Sequence, residues 1–179
     1  MKRFAFLFFV TACASSGTTI ENTSSKQTPI FQSAETGTLM TERPRATAIR
    51  IAAPASNVWL AVKSVYAEMD IPLVIDNPTS HQLGNANFAK SRVLAGHPMN
   101  EFVDCGSGMT GPKAATYRIY ISLITQVAGN ADGTTTVQTT FVPAGQDVSG
   151  GSSDRIPCGS TGRFEQFFLD RIKSTLGKP

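Results

Sequence analysis

The sequence predicts an α+β domain of two layers, in which a mainly antiparallel β-sheet carries two helices packed on one face. Two observations lead to this prediction. Two segments place apolar residues at three- and four-residue intervals, which predicts one helix early in the domain and another at its end. The segments between them alternate apolar and polar residues and are joined by turn signals, as in hairpins. The predicted order is β-α-β-β-(α)-β-β-α.

Residues 45–52 predict the first strand. Pro54 predicts the start of the first helix, because the missing N–H of a proline costs nothing in the first turn. The helical spacing continues through about residues 55–70, and Pro72 requires the helix to end before it. The apolar stripe of this helix comprises Ala55, Val58, Trp59, Val62, Val65, Tyr66 and Met69.

A hairpin is predicted next. Residues 73–75 form a short apolar strand, residues 77–80 are a turn signal, and residues 81–89 suit the returning strand. Residues 90–101 are ambiguous, since they suit a helical turn that a proline interrupts.

Two long strands follow, over residues 115–128 and 134–143, with a turn at Asp132-Gly133 between them. Their alternation predicts one apolar face and one polar face. The inward face is predicted to carry Tyr117, Ile119, Ile121, Leu123, Thr135, Val137, Thr139 and Phe141. The opposite face carries Thr, Gln, Arg and Tyr side chains, which suits solvent or a partner.

Residues 145–162 are rich in Gly and Ser and are predicted to be a loop. The last helix is predicted over about residues 161–176. Its apolar stripe comprises Phe164, Phe167, Phe168, Ile172 and Leu176.

The composition restricts the class of protein. The chain has 179 residues, 41% hydrophobic and 16% charged, with a net charge of +3, which excludes disorder throughout. It contains no apolar run of the roughly 20 residues that a spanning helix needs. It also has no strongly basic run, so nucleic acid is not predicted as a partner.

The N-terminus has the layout of an export signal. Lys2 and Arg3 precede an apolar run, and the run ends in Val10-Thr11-Ala12-Cys13. This ending resembles the lipobox of bacterial lipoproteins, in which the cysteine is acylated and the preceding signal, here residues 1–12, is removed.

The resemblance implies that Cys13 anchors the protein in a membrane, because two or three acyl chains hold a protein there permanently. By analogy with Gram-negative lipoproteins, Ala14 after the cysteine implies export to the outer membrane, with the domain facing the periplasm. Residues 13–43 are predicted to be the lipidated cysteine and a flexible tether, and residues 44–179 the single domain.

Two cysteines remain, Cys105 and Cys158, in an oxidising compartment. We favour a disulfide bond between them, which would close a loop of about 54 residues. The alternative, a metal site, lacks a CxxC motif or a nearby histidine cluster.

No catalytic constellation is present, so an enzyme is not predicted, nor is a metal or another cofactor. Residues 106–111 match G-x-G-x-x-G, but Pro112 and a strand follow where a nucleotide site needs a helix. His97 and Glu101 could share a helix face as a partial metal site, but Pro98 separates them. Arg118 and Tyr120, on the polar face of the sheet, are the candidate partner surface.

The segment from Arg50 through Pro54 to Trp59, with the Ile71-Pro72 strand, resembles a helix-grip domain. With the lipobox and the antiparallel sheet closed by a helix, it is similar to the repeated domain of the BamC (NlpB) family of outer-membrane lipoproteins. This resemblance implies a non-enzymatic, membrane-anchored domain that binds envelope proteins in outer-membrane assembly or maintenance. The same helix start occurs in START-type helix-grip domains, which implies the alternative of a periplasmic module for a small apolar ligand or lipid.

Overall fold

The computed structural model describes residues 46–149 and 153–177, and these residues form the predicted α+β domain of two layers. The elements, in chain order, are β1 (Ala46–Ile51), α1 (Ala55–Glu68), β2 (Ile75–Asn77), β3 (Gln82–Ser91), β4 (Val93–Leu94), β5 (His97–Pro98), α2 (Met99–Phe102), β6 (Val103–Asp104), β7 (Ser107–Gly108), β8 (Gly111–Pro112), a 3₁₀ turn (Lys113–Ala115), β9 (Arg118–Gly129), β10 (Thr135–Gln146), β11 (Arg155–Pro157), β12 (Gly159–Ser160) and α3 (Arg163–Leu176). No helix among these residues has the length and apolarity needed to cross a bilayer.

The main sheet has the strand order β1-β10-β9-β3-β2, and every neighbouring pair is antiparallel. Strand β10 is long enough to pair with two strands along the same edge. Its first half pairs with β1, and its end at residues 144–146 pairs with β11. The long hairpin of β9 and β10 is therefore the centre of the fold.

The first helix begins and ends where the two prolines predicted. Pro54 takes an extended conformation at the N-cap, and its carbonyl oxygen accepts the N–H groups of Asn57 and Val58 at 3.0 and 3.1 Å. The chain leaves the helix through Asp70, which has a left-handed backbone with a φ of 52°, before Pro72. The boundary prediction is confirmed to within two residues.

Both long helices pack on one face of the sheet, and aromatic side chains fill the space between the layers. Tyr66 of α1 meets Phe168 of α3 edge to face, with ring centres 5.3 Å apart. Phe164 of α3 stacks on Phe141 of β10, with ring centres 4.5 Å apart. All four side chains are fully buried. Trp59 was expected in this core, but it is half-buried at its edge.

The alternation of the long hairpin is confirmed, and three threonines lie inside the core with the apolar residues: Thr125, Thr135 and Thr139. Their hydroxyl groups have hydrogen-bond partners there. The Thr135 hydroxyl donates to the carbonyl of Ala53 at 2.7 Å, and the hydroxyl oxygens of Thr125 and Thr139 lie 3.4 Å apart. Buried hydroxyls need such bonds, since an unpaired one is costly.

Two predictions of local structure are corrected. The short strand expected at residues 73–75 lies at Ile75–Asn77. The hydrogen bonds to β3 begin at Val74, whose N–H donates to the carbonyl of Gly84. Residues 145–162 are more than a loop. They contain the end of β10, then β11 and β12. The ambiguous segment at residues 90–101 contains the end of β3, the β4–β5 hairpin and the start of the single-turn helix α2.

Candidate functional site

The face of the sheet opposite the helices, here called the open face, has no helix over it among the described residues. In β9 and β10 its side chains alternate with the buried ones and are half-buried or exposed. Opposed pairs across the hairpin on this face are Arg118 with Gln146, Tyr120 with Ala144, Ser122 with Val142, and Ile124 with Thr140. An antiparallel sheet commonly leaves such a face to solvent, so any binding role depends on what this face carries.

One end of the open face carries an ordered group of polar side chains, which we call the arginine cluster: Arg118, Tyr120, Gln146 and Arg155. The strand register brings them together. Gln146 of β10 lies opposite Arg118 on one side and Arg155 of β11 on the other, so these three form one row across three strands. Tyr120 follows Arg118 by two residues on the same face of β9.

Tyr120 contacts two other members of the cluster, Arg155 and Gln146. The carbon at the centre of the Arg155 guanidinium lies 3.5 Å from the centre of the Tyr120 ring, which is the geometry of a cation–π contact. The Tyr120 hydroxyl donates to Gln146 Oε1 at 2.9 Å, and Gln146 Nε2 donates to the carbonyl of Ser153 at 2.7 Å. Ala144 lies opposite Tyr120, and its small side chain leaves room for this arrangement.

The two arginines of the cluster differ from most other cations of the domain. Lys63, Lys90 and Arg171 each form a salt bridge with a carboxylate. Among the described residues no salt bridge joins Arg118 or Arg155 to a carboxylate, and both side chains are exposed. The cluster therefore presents guanidinium N–H groups to solvent.

Asp147, which directly follows Gln146 at the end of β10, is engaged in its own loop. The Ser149 hydroxyl and backbone N–H both donate to Asp147 Oδ1, at 2.7 and 2.8 Å. These hydrogen bonds, helped by the positive charge of Lys113, hold the pKa of Asp147 below its ordinary value. Asp147 is therefore ionised near neutral pH and turned into its own loop.

Cys105 and Cys158 are joined by a disulfide bond, as predicted. The bond lies on the buried side of the same strand end, against Gly145. Cys158 directly follows β11, and its N–H donates to the carbonyl of Pro143 at 3.2 Å. The disulfide thus fixes the strand that carries Arg155, while the arginine cluster occupies the opposite face.

Sequence reasoning brought Arg118 and Tyr120 to one face, which the structure confirms, but it missed Gln146 and Arg155. Both lie in the segment that was predicted to be a loop. A signal was present, because Pro143 and Gly145 continue the inward alternation of β10 and Arg155-Ile156-Pro157 alternates again. Proline and glycine are weak indicators of an apolar strand face, so the alternation at Pro143 and Gly145 was not recognised.

The remaining candidate residues are accounted for as follows. Cys13 lies outside the described residues. The ring Nδ1 of His97 lies 3.3 Å from Glu101 Oε2, and the ring packs against Phe102 and Phe167. Within residues 46–149 and 153–177, no group of three or more His, Cys, Asp or Glu side chains could hold a metal ion. The G-x-G-x-x-G segment forms the β7–β8 hairpin instead of a nucleotide loop.

A shallow pocket of about 220 Å³ lies at the end of α1. Glu68, Asp70 and Lys90 line it, together with the turn between β4 and β5. It lies at the surface, outside the layer where a helix-grip domain would hold an apolar ligand. Its volume is below the roughly 300 Å³ at which ligand sites begin.

Comparisons of the chain with protein-family models, with curated proteins and with solved structures gave no match. The similarity to the BamC family therefore stays a prediction from the residues that suggested it.

Proposed function

We propose that this protein is a non-enzymatic, lipid-anchored envelope protein whose domain binds other proteins through its open face. The arginine cluster carries this proposal, because it places two exposed guanidinium groups, one of them held on an aromatic ring, on a sheet face that no helix of the described residues covers. Arginine and tyrosine are enriched in protein interfaces, where they supply contact area and hydrogen bonds together.

The filled interior supports a protein partner over a small apolar ligand. Tyr66, Phe141, Phe164 and Phe168 occupy the space between sheet and helices, and each is fully buried. A carrier of an apolar ligand would need an enclosed cavity in that layer. We therefore propose the open face, which carries the arginine cluster, as the binding surface.

The proposed location follows from the N-terminus. Acylation of Cys13 would hold the protein in the outer membrane, and residues 14–43 would let the domain reach partners in the periplasm. By its resemblance to the BamC family, the process we propose is assembly or maintenance of the outer membrane.

Site-specific photo-crosslinking in intact cells tests this function. A photoreactive amino acid is placed at Thr140, at the centre of the open face, and in a matched strain at Ser64, which is exposed on α1. We expect discrete protein adducts from Thr140 and none, or weaker ones, from Ser64. Adducts that form from Ser64 alone, or from neither position, would contradict binding through the open face.

A further inference from the structure

We propose that the arginine cluster recognises carboxylate groups in an acidic segment of the partner protein, an inference that rests on the proposed protein-binding function.

The donors are arranged for a carboxylate. Arg155 reaches across β10 so that its guanidinium lies over Tyr120, and Arg118 is two residues away on the same strand face. Alternate residues of a strand are about 7 Å apart, so the two guanidinium groups start from neighbouring positions. Stacking engages the face of the Arg155 guanidinium and leaves its N–H edge for ligands. A guanidinium edge binds a carboxylate through two parallel hydrogen bonds.

Tyr120 makes the site preorganised. Its ring supports Arg155, and its hydroxyl is fixed by Gln146, whose amide is bound in turn to the backbone at Ser153. A side chain that is already ordered loses less conformational freedom when a ligand binds. Most exposed arginines lack such support.

The number of charges favours a peptide over a lipid surface. The cluster contains two arginines, whereas segments that bind anionic lipids carry about four to eight basic residues. The next arginine on this face, Arg50, lies at the far end of the sheet and is paired with Asp132. Two positive charges, one of them held on Tyr120, match two or three carboxylates on a chain better than a charged plane.

The neighbouring surface suits a polypeptide as well. Val142 is 36% exposed, and it lies diagonally across the hairpin from half-buried Ile124. Diagonal neighbours of a sheet can share one contacting side chain. Beyond them the face carries the hydroxyl and amide side chains of Thr140, Gln138 and Gln126, which can bond a peptide. An acidic segment that also contains an apolar residue would fit both regions.

The experiment measures binding of a fluorescent peptide of six glutamates to the full chain, purified in detergent, at low ionic strength. A peptide of six glutamines is the charge control. Arg118→Gln and Arg155→Gln each remove one proposed donor. Arg155→Lys keeps the charge and removes the planar edge. Arg50→Gln is the matched control, because it removes one positive charge from the same face outside the cluster.

We expect the glutamate peptide to bind and the glutamine peptide not to bind. Each of Arg118→Gln, Arg155→Gln and Arg155→Lys should weaken binding by about tenfold, the effect of losing a charge-assisted bond, while Arg50→Gln should leave it within about twofold. Absence of binding, equal binding of both peptides, or equal losses in the Arg50→Gln control would overturn the proposal. Binding of the arginines to phosphatidylglycerol vesicles in place of the peptide would overturn it as well.

Failure of this proposal can be told apart from failure of the proposed function. The Thr140 crosslink is repeated with Arg118→Gln and Arg155→Gln combined. Adducts that persist at full yield keep the protein-binding function and reject carboxylate recognition. If the adducts disappear, and the segment of the partner that crosslinks to the parent is acidic, both the protein-binding function and carboxylate recognition are supported.

Discussion

Gly145 faces Cys158 on the buried side of the sheet, where a β-carbon on Gly145 would lie 3.1 Å from the sulfur of Cys158. The same β-carbon would lie 3.1 Å from the sulfur of Cys105 and from Cδ2 of Tyr117. An alanine at this position would therefore need one of these neighbours to move by a few tenths of an ångström, since the disulfide bond lies where the added side chain would project. The strand end that bears the arginine cluster rests directly on this contact.

We expect Gly145→Ala to lower the free energy of unfolding by about 1–3 kcal/mol, the usual cost of overpacking a filled interior. Gly108→Ala is the control, because its added β-carbon would meet no atom closer than 3.9 Å. Urea denaturation of both variants measures the difference. Equal midpoints for Gly145→Ala and the parent would show that the disulfide bond can move aside.

Removal of the disulfide bond should lower stability and keep the fold. The bond closes a loop of about 54 residues, and in the chain-entropy model such a loop is worth about 4 kcal/mol as an upper figure. We expect the double variant Cys105→Ser, Cys158→Ser to unfold at lower urea concentration with unchanged circular dichroism in buffer. Reductant should lower the urea midpoint of the parent and leave the midpoint of the double variant unchanged. Two free thiols in the unreduced, unfolded parent, Cys13 apart, would contradict the bond.

The sequence predicted the fold wherever the hydrophobic period was strong. Val58, Val62 and Val65 recur at helical spacing, and Ile119, Ile121 and Leu123 alternate, so one helix and one strand were assigned with their buried faces. The order of elements followed from these periods and from the turns between them. In such segments local pattern and tertiary packing agree.

The candidate site was predicted in part, for a physical reason. Arg118 and Tyr120 were found because they share a face of a strongly patterned strand. Arg155 was not, because its three-residue strand lacks a period of its own and exists through pairing with β10. Residues 147–153, which lie between β10 and β11, are rich in Gly and Ser and indicate a loop, and Gly145 further weakened the pattern of β10.

Tyr66→Phe should destabilise the domain near neutral pH. The Tyr66 hydroxyl lies in the core and donates to the carbonyl of Leu123 at 3.2 Å, with the hydroxyl of Thr125 at the same distance. Removing the hydroxyl leaves that carbonyl without this buried donor, which typically costs about 1–3 kcal/mol. Thermal and urea denaturation at pH 7 measure the loss. Tyr120→Phe, on the open face, is the control for removal of a tyrosine hydroxyl, and an equal loss there would contradict a special role for burial.

We expect ionisation of Tyr66 to lower the stability of the domain at alkaline pH. Burial is the main cause that raises the pKa of Tyr66 far above its ordinary value. In the unfolded chain tyrosine ionises near pH 10. The contribution of Tyr66 is therefore complete below about pH 10 and is lost as the pH rises toward the folded pKa, at up to about 1.4 kcal/mol per pH unit. We expect the free energy of unfolding to fall less steeply above pH 10 in Tyr66→Phe than in the parent. Parallel curves would contradict this.

Cys13→Ser should release the protein from the membrane. If Cys13 carries the acyl chains, the parent will stay in the membrane fraction through washes with salt and carbonate and will be extracted by detergent. The variant should fractionate with soluble protein. Cys158→Ser is the matched control, since it removes a cysteine that lies in the folded domain. A parent that is already soluble, or a Cys13→Ser variant that stays on the membrane, would show that Cys13 is not the anchor.

Ser160 and Glu165 should be energetically coupled at the start of α3. Glu165 is fully buried, and the Ser160 hydroxyl lies 2.7 and 2.8 Å from its two carboxylate oxygens. The Ser160 oxygen also accepts the N–H of Gly162, so one serine serves both the buried carboxyl group and the helix start. We expect Ser160→Ala to cost about 1–3 kcal/mol, because a buried carboxylate loses a donor.

A double-mutant cycle distinguishes this contact from general damage to the helix start. Urea denaturation compares Ser160→Ala, Glu165→Gln and their combination. Ser64→Ala, at an exposed position of α1, is the control for serine removal. Residues in direct contact deviate from additivity by about 0.5–3 kcal/mol. We therefore expect the combined variant to lose less stability than the sum of the single losses. Additive losses would mean that the hydroxyl and the carboxyl group act independently, and that Glu165 is held by its other neighbours.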